Sequence, residues 1–326
     1  MTKVLLTHTP QARQQYYGER SLRGLQASAQ VVLHEGATAL DAAGLLGAAR
    51  DVDIIVADRL TEGPANIFAA LPKLRAFVRC AVDIRNIDVA AASAAGVLVT
   101  RAGPGFVQSV AELALGLMVD LSRGVSRATA DYHAGRKPEI VMGRQLAGSS
   151  LGIIGYGSIG RYLAPLGIAL GMAVLVADPF ANVDDGRIQH VPLEQLLGRS
   201  DYVVCLAVAN EATENLIGRD ALARMRPQAF FINLSRGDLV DEAALLAALR
   251  ENRIAGAAMD VGRALDQMPT AELASLPNVI ATPHIGGLTP PAIESQSLET
   301  VRQVEAIIGG KAPPGAVNAD CWTRRP

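Results

Sequence analysis

The sequence predicts an α/β protein built on two doubly wound parallel sheets, and three observations carry that prediction. Short runs rich in Val and Ile alternate with longer Ala/Leu segments at helical spacing. The series restarts once midway along the chain, and 326 residues exceed what a single hydrophobic core usually organises. The first series is KVLLTH, QVVLH, DIIVAD and RAFVRC; the second is LGIIGYG, AVLVADP, YVVCLAV, AFFINLS, AGAAMDV and NVIATPH. Two breaks mark the seams. RAGPGF at 101–106 precedes a long helix starting near Val107, and LTPPAIE at 288–294 precedes a last helix from about Ala292 to Ile308. No strand of the second series follows that last helix, so it is placed back on the first domain. The expected domains are 1–100 with 290–326, and 101–289.

Half the residues are hydrophobic and 19% are charged, which suits a well-buried enzyme and argues against disorder. Thirty basic against 32 acidic residues leave a formal net charge of −2, so nothing electrostatic points to nucleic acid or an anionic membrane as a partner. Cys80, Cys205 and Cys321 are far apart and lack CxxC spacing. Neither a disulfide framework nor a metal site is expected, and a reducing, cytoplasmic setting is the simpler inference. The opening MTKVLLTHTPQ reads as a first strand rather than an export signal. In the most apolar helix, SVAELALGLMVDLSRG, Glu112 and Asp120 interrupt any membrane crossing.

GYGSIG, the run Gly155, Tyr156, Gly157, Ser158, Ile159 and Gly160, matches a dinucleotide-binding pattern that is weak by itself in a chain with 31 glycines. Its surroundings strengthen it. The loop follows the apolar strand LGII and opens the helix SIGRYLAPLGIAL, whose free first-turn amides and dipole suit a pyrophosphate. The next strand, MAVLVAD, ends at Asp178, eighteen residues beyond the last glycine. A carboxylate there accepts hydrogen bonds from both ribose hydroxyls of NAD and repels a 2′-phosphate. Pro165 resists this reading, because inside a helix it removes an amide at a cost on the order of 3 kcal/mol unless the helix kinks or starts late.

Ligands of open parallel sheets bind beyond the carboxyl ends of the strands. AFFINLS is followed there by Arg236, AGAAMDV ends at Asp260 and leads to Asp266, and NVIATP leads to His284. A guanidinium can hold a substrate carboxylate by two parallel bonds and polarise the adjacent carbonyl. An imidazole can deliver a proton as hydride arrives at carbon, and a neighbouring carboxylate would stabilise the imidazolium. Each residue also has an ordinary reading: Arg236 bonding carbonyls in a turn, Asp266 capping a helix, His284 filling a loop.

Together LAGSSLGIIGYGSIG, NLSRGDLVDEAALLAAL, AGAAMDV, TPHIGG, the closing GAVNAD and SVAELALGLMVDLSR resemble the D-isomer-specific 2-hydroxyacid dehydrogenase family. The resemblance implies a flavodoxin-like substrate domain wrapped in sequence around a Rossmann domain, with hydride passing between NAD(H) and a small D-2-hydroxy acid or its 2-keto acid. It places the catalytic arginine on Arg236 and the catalytic histidine on His284. It adds Val208, Thr213, Leu234, Asp260 and Gly287 to the cofactor contacts, sets Val82 and Asp83 in the substrate loop, and implies a homodimer through the helix from Val107.

The sequence departs from the family in three places. The run usually close to DVFxxEP reads DVGRALDQMPT, with Leu265 where the family has glutamate; Asp266 is the nearest carboxylate, and Gln267 is the alternative, since formate dehydrogenases of the superfamily use an amide. The usual GxGxDNID reads CAVDIRNID, with Asp83 in a glycine position, and CLAVANEATENL carries Ala207 and Ala209 in place of histidine and proline. A non-catalytic NAD(H)-sensing protein on the same fold is the other reading.

Overall fold

The computed structural model describes residues 1–264 and 267–326. The chain divides into two compact units, Met1–Phe106 with Leu288–Pro326, and Val107–Gly287.

In the first unit β1 (Lys3–Leu6), β2 (Gln30–Leu33), β3 (Ile54–Ala57), β4 (Ala76–Arg79) and β5 (Leu98–Arg101) form a parallel sheet in the order β2-β1-β3-β4-β5. Every residue of β3 and β4 is buried, as continuous apolar runs require when helices cover both faces. The helix Pro290–Ile308 belongs to this unit, where Val301, Val304 and Ile307 share a core with Val4, Leu25 and Val78. Residues 101–106 also stay here rather than opening the second domain. β5, absent from the series read in the sequence, runs into them; Arg101 donates its amide to Gly315 (3.0 Å) and Gly103 to the Glu299 carboxylate (2.7 Å).

Just beyond β1 lies His8, 1% exposed, against the Tyr17 ring at 5.1 Å. Burial pushes its imidazole down to about 4, helped by Arg13 and Arg79 and opposed by Asp58. The unfolded chain therefore takes up a proton near pH 6.5 that the folded chain refuses until about pH 4. Stability contributed by the neutral ring is whole above pH 6.5 and is lost as the pH falls toward 4, by roughly 3 kcal/mol. Urea unfolding of wild type and His8→Gln at pH 7 and pH 4.5 checks this. The wild type should lose more stability across that interval, and parallel losses would remove His8 as a source of acid sensitivity.

The second unit contains β6 (Ser150–Ile154), β7 (Ala173–Ala177), β8 (Ile188–His190), β9 (Tyr202–Cys205), β10 (Phe230–Asn233), β11 (Gly256–Met259) and β12 (Val279–Ala281). All are parallel, in the order β12-β11-β10-β9-β6-β7-β8. The sequence patterns missed β8, a three-residue edge strand with two residues exposed and hence no periodicity to detect. Register aligns the strand ends: Ile154 pairs with Ala177 and Cys205, Cys205 with Asn233, Asn233 with Met259, and Met259 with Ala281. One edge of the sheet thus carries Gly155, Asp178, Leu234, Asp260 and Thr282 as the next residues. Strand order reverses around β6, which puts the switch point at the glycine loop.

The helix Ser158–Ala169 runs through Pro165 without a break. The proline lies on the exposed face, opposite the buried Leu163, Ala164 and Gly167, so water can take the carbonyl that loses its amide partner.

Candidate active site

The glycine loop owes its shape to close backbone approaches. Gly155 has φ +91°, and a Cβ on it would lie 2.6 Å from the Ala207 nitrogen; a Cβ on Gly160 would lie 2.5 Å from the Gly155 carbonyl. Gly157 differs. A Cβ there meets no protein atom within 4 Å, and as N-cap it makes no side-chain capping bond, so the first-turn amides at the exposed Ser158 and half-buried Ile159 border open space. That cradle fits a pyrophosphate.

Asp178 follows β7 beside the loop, its Oδ2 accepting the Tyr156 amide at 2.7 Å and its Oδ1 the Phe180 amide at 2.9 Å. Each oxygen keeps a lone pair for a ribose hydroxyl. Arg161, which the sequence reading passed over, stacks over the Tyr156 ring at 4.7 Å and donates to the Asn182 carbonyl at 3.1 Å, bracing this side of the site. Its signal was available as the residue directly after GYGSIG.

Beyond β9, Val208 is 75% exposed. The Thr213 hydroxyl donates to the Val208 carbonyl (2.7 Å) and accepts from the Asn210 amide (2.9 Å), so it supports the loop that displays Val208. Leu234 is buried and follows β10, where the buried Asn233 donates to the Arg236 carbonyl at 2.9 Å and accepts from the Ser235 amide at 3.1 Å. This brace sets the backbone of the half-buried Arg236, whose Nη1 donates to the Ser235 carbonyl at 2.7 Å.

Asp260, 2% exposed at the end of β11, holds the loop that carries His284. Its Oδ1 accepts from the Thr282 hydroxyl (2.6 Å) and the Ile285 amide (2.8 Å), and its Oδ2 accepts from the Gly286 amide (2.8 Å). Three bonds on either side of His284 sustain a backbone with φ +55°, a conformation that costs a non-glycine residue on the order of 1 kcal/mol. The ring is half-buried, with Nδ1 inside. Asp260 entered as a cofactor contact; in the fold its carboxylate is committed to the histidine loop. Thr282, two residues ahead of the histidine, is the site residue the motif offered and the reading overlooked. Gly287 ends the unit.

Asp266 lies outside the described residues. Gln267 is exposed with φ +63°, its amide donating to the Ala264 carbonyl at 2.8 Å and its carbonyl accepting from Gly262 at 2.9 Å. In the first unit, the Asp83 carboxylate receives Arg85 Nε at 3.1 Å, Nη2 at 2.8 Å and the Arg85 amide at 3.0 Å. The carboxylate standing in a glycine position is thus turned onto its neighbour's guanidinium. The Val82 amide makes no hydrogen bond among the described residues.

A seven-stranded sheet with an open glycine cradle at its switch point, an acid after the second strand, and arginine and histidine beyond later strands defines a nicotinamide-dependent oxidoreductase. Comparison with known proteins narrows the class. The profile described as "D-isomer specific 2-hydroxyacid dehydrogenase, NAD binding domain" matches residues 115–286. Hydroxypyruvate reductase of Thermotoga maritima is 33% identical over 264 residues, covering 79% of this chain and 86% of that protein. (S)-sulfolactate dehydrogenase of Chromohalobacter salexigens is 36% identical over 277 residues, covering 83% and 90%. D-3-phosphoglycerate dehydrogenase of Mycobacterium leprae is 33% identical over 284 residues, 86% of this chain but 54% of that protein, so the chain spans about half its length. A solved structure of a D-isomer specific 2-hydroxyacid dehydrogenase from a Polaromonas species superposes with a TM-score of 0.89 at 25% identity, covering 97% of this chain and 99% of that one. The chain belongs to the D-isomer specific 2-hydroxyacid dehydrogenase family. As such it is an oxidoreductase that uses NAD and acts on the CH–OH group of a 2-hydroxy acid or on the corresponding keto acid.

Proposed function

We propose that the protein reduces a small 2-keto acid to the D-2-hydroxy acid with NADH, using Arg236 and His284. The observation that carries this reading is the shared strand edge, where both residues follow strands in line with the glycine loop. Arg236 holds the substrate carboxylate in its two-pronged fork and polarises the keto oxygen. The carbonyl carbon accepts hydride from the reduced nicotinamide while His284 donates a proton to the oxygen, leaving NAD⁺ and the hydroxy acid. Gly155 to Gly160 and Asp178 hold the dinucleotide, with Val208, Thr213, Leu234 and Gly287 alongside, and Val82 and Asp83 contact the substrate. Asp266 is proposed as the carboxylate partner of His284, with Gln267 as the other candidate.

A panel of 2-keto acids assayed with NADH and NADPH tests this. Turnover of at least one is expected, with NADH favoured by at least about tenfold in kcat/KM because Asp178 repels a 2′-phosphate. Tight NADH binding with no turnover of any keto acid would give the sensing role instead. Equal use of NADPH would withdraw Asp178.

A homodimer is proposed through the region that starts at Val107. The helices Val107–Arg123 and Val125–His133 and the segment behind them expose Val125, Tyr132, Ile140 and Met142, the last two at 95% each. Gly143 and Arg144 anchor that segment, since a Cβ on Gly143 would lie 2.6 Å from the Ser122 carbonyl and the Arg144 amide donates to the same oxygen at 3.3 Å. Exposed apolar side chains carried by the helix Val125–His133 and by the anchored segment after it suit a second copy of the chain. Light scattering after gel filtration should give a dimer for the wild type and a monomer for the Ile140→Asp, Met142→Asp double variant. A dimer surviving both changes would move the interface elsewhere.

A cytoplasmic location is proposed as well. Cys80 and Cys205 are buried and free, and Cys321 is exposed and free, in keeping with a reducing compartment. Among the described residues no helix is long and apolar enough to cross a membrane.

A further inference from the structure

We propose that Arg79 is a positioning residue for the substrate carboxylate, fixing from inside the first unit the loop that presents the Val82 amide. The inference rests on the reading above, in which this loop contacts the keto acid.

Arg79 ends β4 and is 0% exposed, a place where a guanidinium is rare because its charge must be taken out of water. Its bonds go to loops. Nη2 donates to the Asn86 Oδ1 at 2.7 Å and to the Thr61 carbonyl at 2.8 Å, and Nη1 donates to the Asp58 carbonyl. Asn86 in turn donates from Nδ2 to the Arg59 carbonyl at 3.3 Å. One side chain therefore ties residues 58–61, after β3, to residues 80–86, after β4.

All three acceptors are neutral oxygens. The two nearby carboxylates are occupied elsewhere, Asp58 with the Thr61 amide (2.8 Å) and hydroxyl (2.6 Å), and Asp83 with Arg85 (2.8 Å). Burial lowers the guanidinium to about 10, so it stays protonated at neutral pH. The cation is thus spent on holding a loop shape rather than on an ion pair.

What it holds is a turn several of whose backbone groups are already used. The Ala81 carbonyl accepts from Ala102 at 3.1 Å, the Ile87 amide donates to Ile84 at 3.0 Å, and the Asn86 carbonyl accepts from Gly63 at 3.0 Å. Val82 keeps its amide for a ligand. A donor fixed before the substrate arrives gains affinity by avoiding the entropy cost of ordering.

The experiment uses the full-length enzyme with NADH and the 2-keto acid that the wild type turns over best. Asn86→Ala cuts the tie from the loop side, Arg79→Met removes it, and Arg79→Lys keeps the charge with fewer bonds. The KM for the keto acid should rise by about fivefold in Asn86→Ala and by about tenfold or more in Arg79→Met, with Arg79→Lys between them. kcat and the KM for NADH should stay near wild type. A purely structural role would instead lower the melting temperature and the active fraction, reducing kcat at constant KM. If Arg79→Met does not fold, Asn86→Ala and Arg79→Lys decide: unchanged keto-acid KM in both overturns the role of Arg79. A wild type that reduces no keto acid refutes the reading on which the proposal stands, whereas wild-type turnover with unmoved KM in the variants refutes Arg79 alone.

Discussion

Replacing His284 by alanine is expected to lower kcat for keto-acid reduction by roughly 10²- to 10⁴-fold, the range supplied by one well-placed general acid. NADH binding should be left intact, because the glycine cradle and Asp178 belong to other strand ends. Stopped-flow single turnover with a fluorescence titration of NADH separates the two effects. Reduction by the wild type should also slow as the pH rises and the imidazolium is lost, and the variant's residual rate should lack that limb. Within the same profile, Asp266→Asn should move the limb to lower pH, since losing a carboxylate makes the imidazolium less stable. A limb that stays in place returns the partner's role to Gln267 or to none. Most of the wild-type rate surviving in His284→Ala would leave the histidine as a loop residue whose strained φ of +55° has no catalytic purpose.

Arg236→Lys is expected to lower kcat/KM on the order of 10²-fold despite keeping the charge. A lysine ammonium is a point donor. It cannot make two parallel bonds to a carboxylate while polarising the neighbouring carbonyl. Both KM for the keto acid and kcat should suffer, because in the proposed role the arginine would contact the substrate before and during hydride transfer. Exogenous guanidinium tested on an Arg236→Ala background should restore part of the rate, as it would not if the side chain served only its bond to the Ser235 carbonyl. Near wild-type kinetics in Arg236→Lys would assign the residue to that turn.

Much of this was legible in the chain. Strands buried on both faces appear as uninterrupted apolar runs, and these, together with the edge strands β2 and β12, make ten strands legible in the sequence. The two that escaped explain themselves: β8 is three residues long with two of them exposed, and β5 runs straight into a glycine- and proline-rich stretch that read as a seam. The glycine loop was readable because its chemistry is local, a strand, a turn and a helix start within one short segment. Arg236, His284 and Asp178 were readable as residues just past strand ends.

Long-range placement was not. From the sequence Asp260 is an acid at the end of a strand, and nothing in AGAAMDV says that its two oxygens will close on Thr282, Ile285 and Gly286, residues 22 to 26 positions away. Asp83 is an anomaly in a substrate loop by sequence, with Arg85 close by to neutralise it, and the fold turns its carboxylate onto that guanidinium. Arg79 read as one more strand residue, and only the fold brings Asp58, Thr61 and Asn86 around it. The sequence by itself determined the layers, the glycine loop and the chemical types at the strand ends, since those follow from periodicity and from bonds between near neighbours. The tertiary structure alone decided which polar groups are satisfied by which. A buried hydrogen bond is set by the packing of segments remote in sequence, and a single chain carries no local signal of its distant partners.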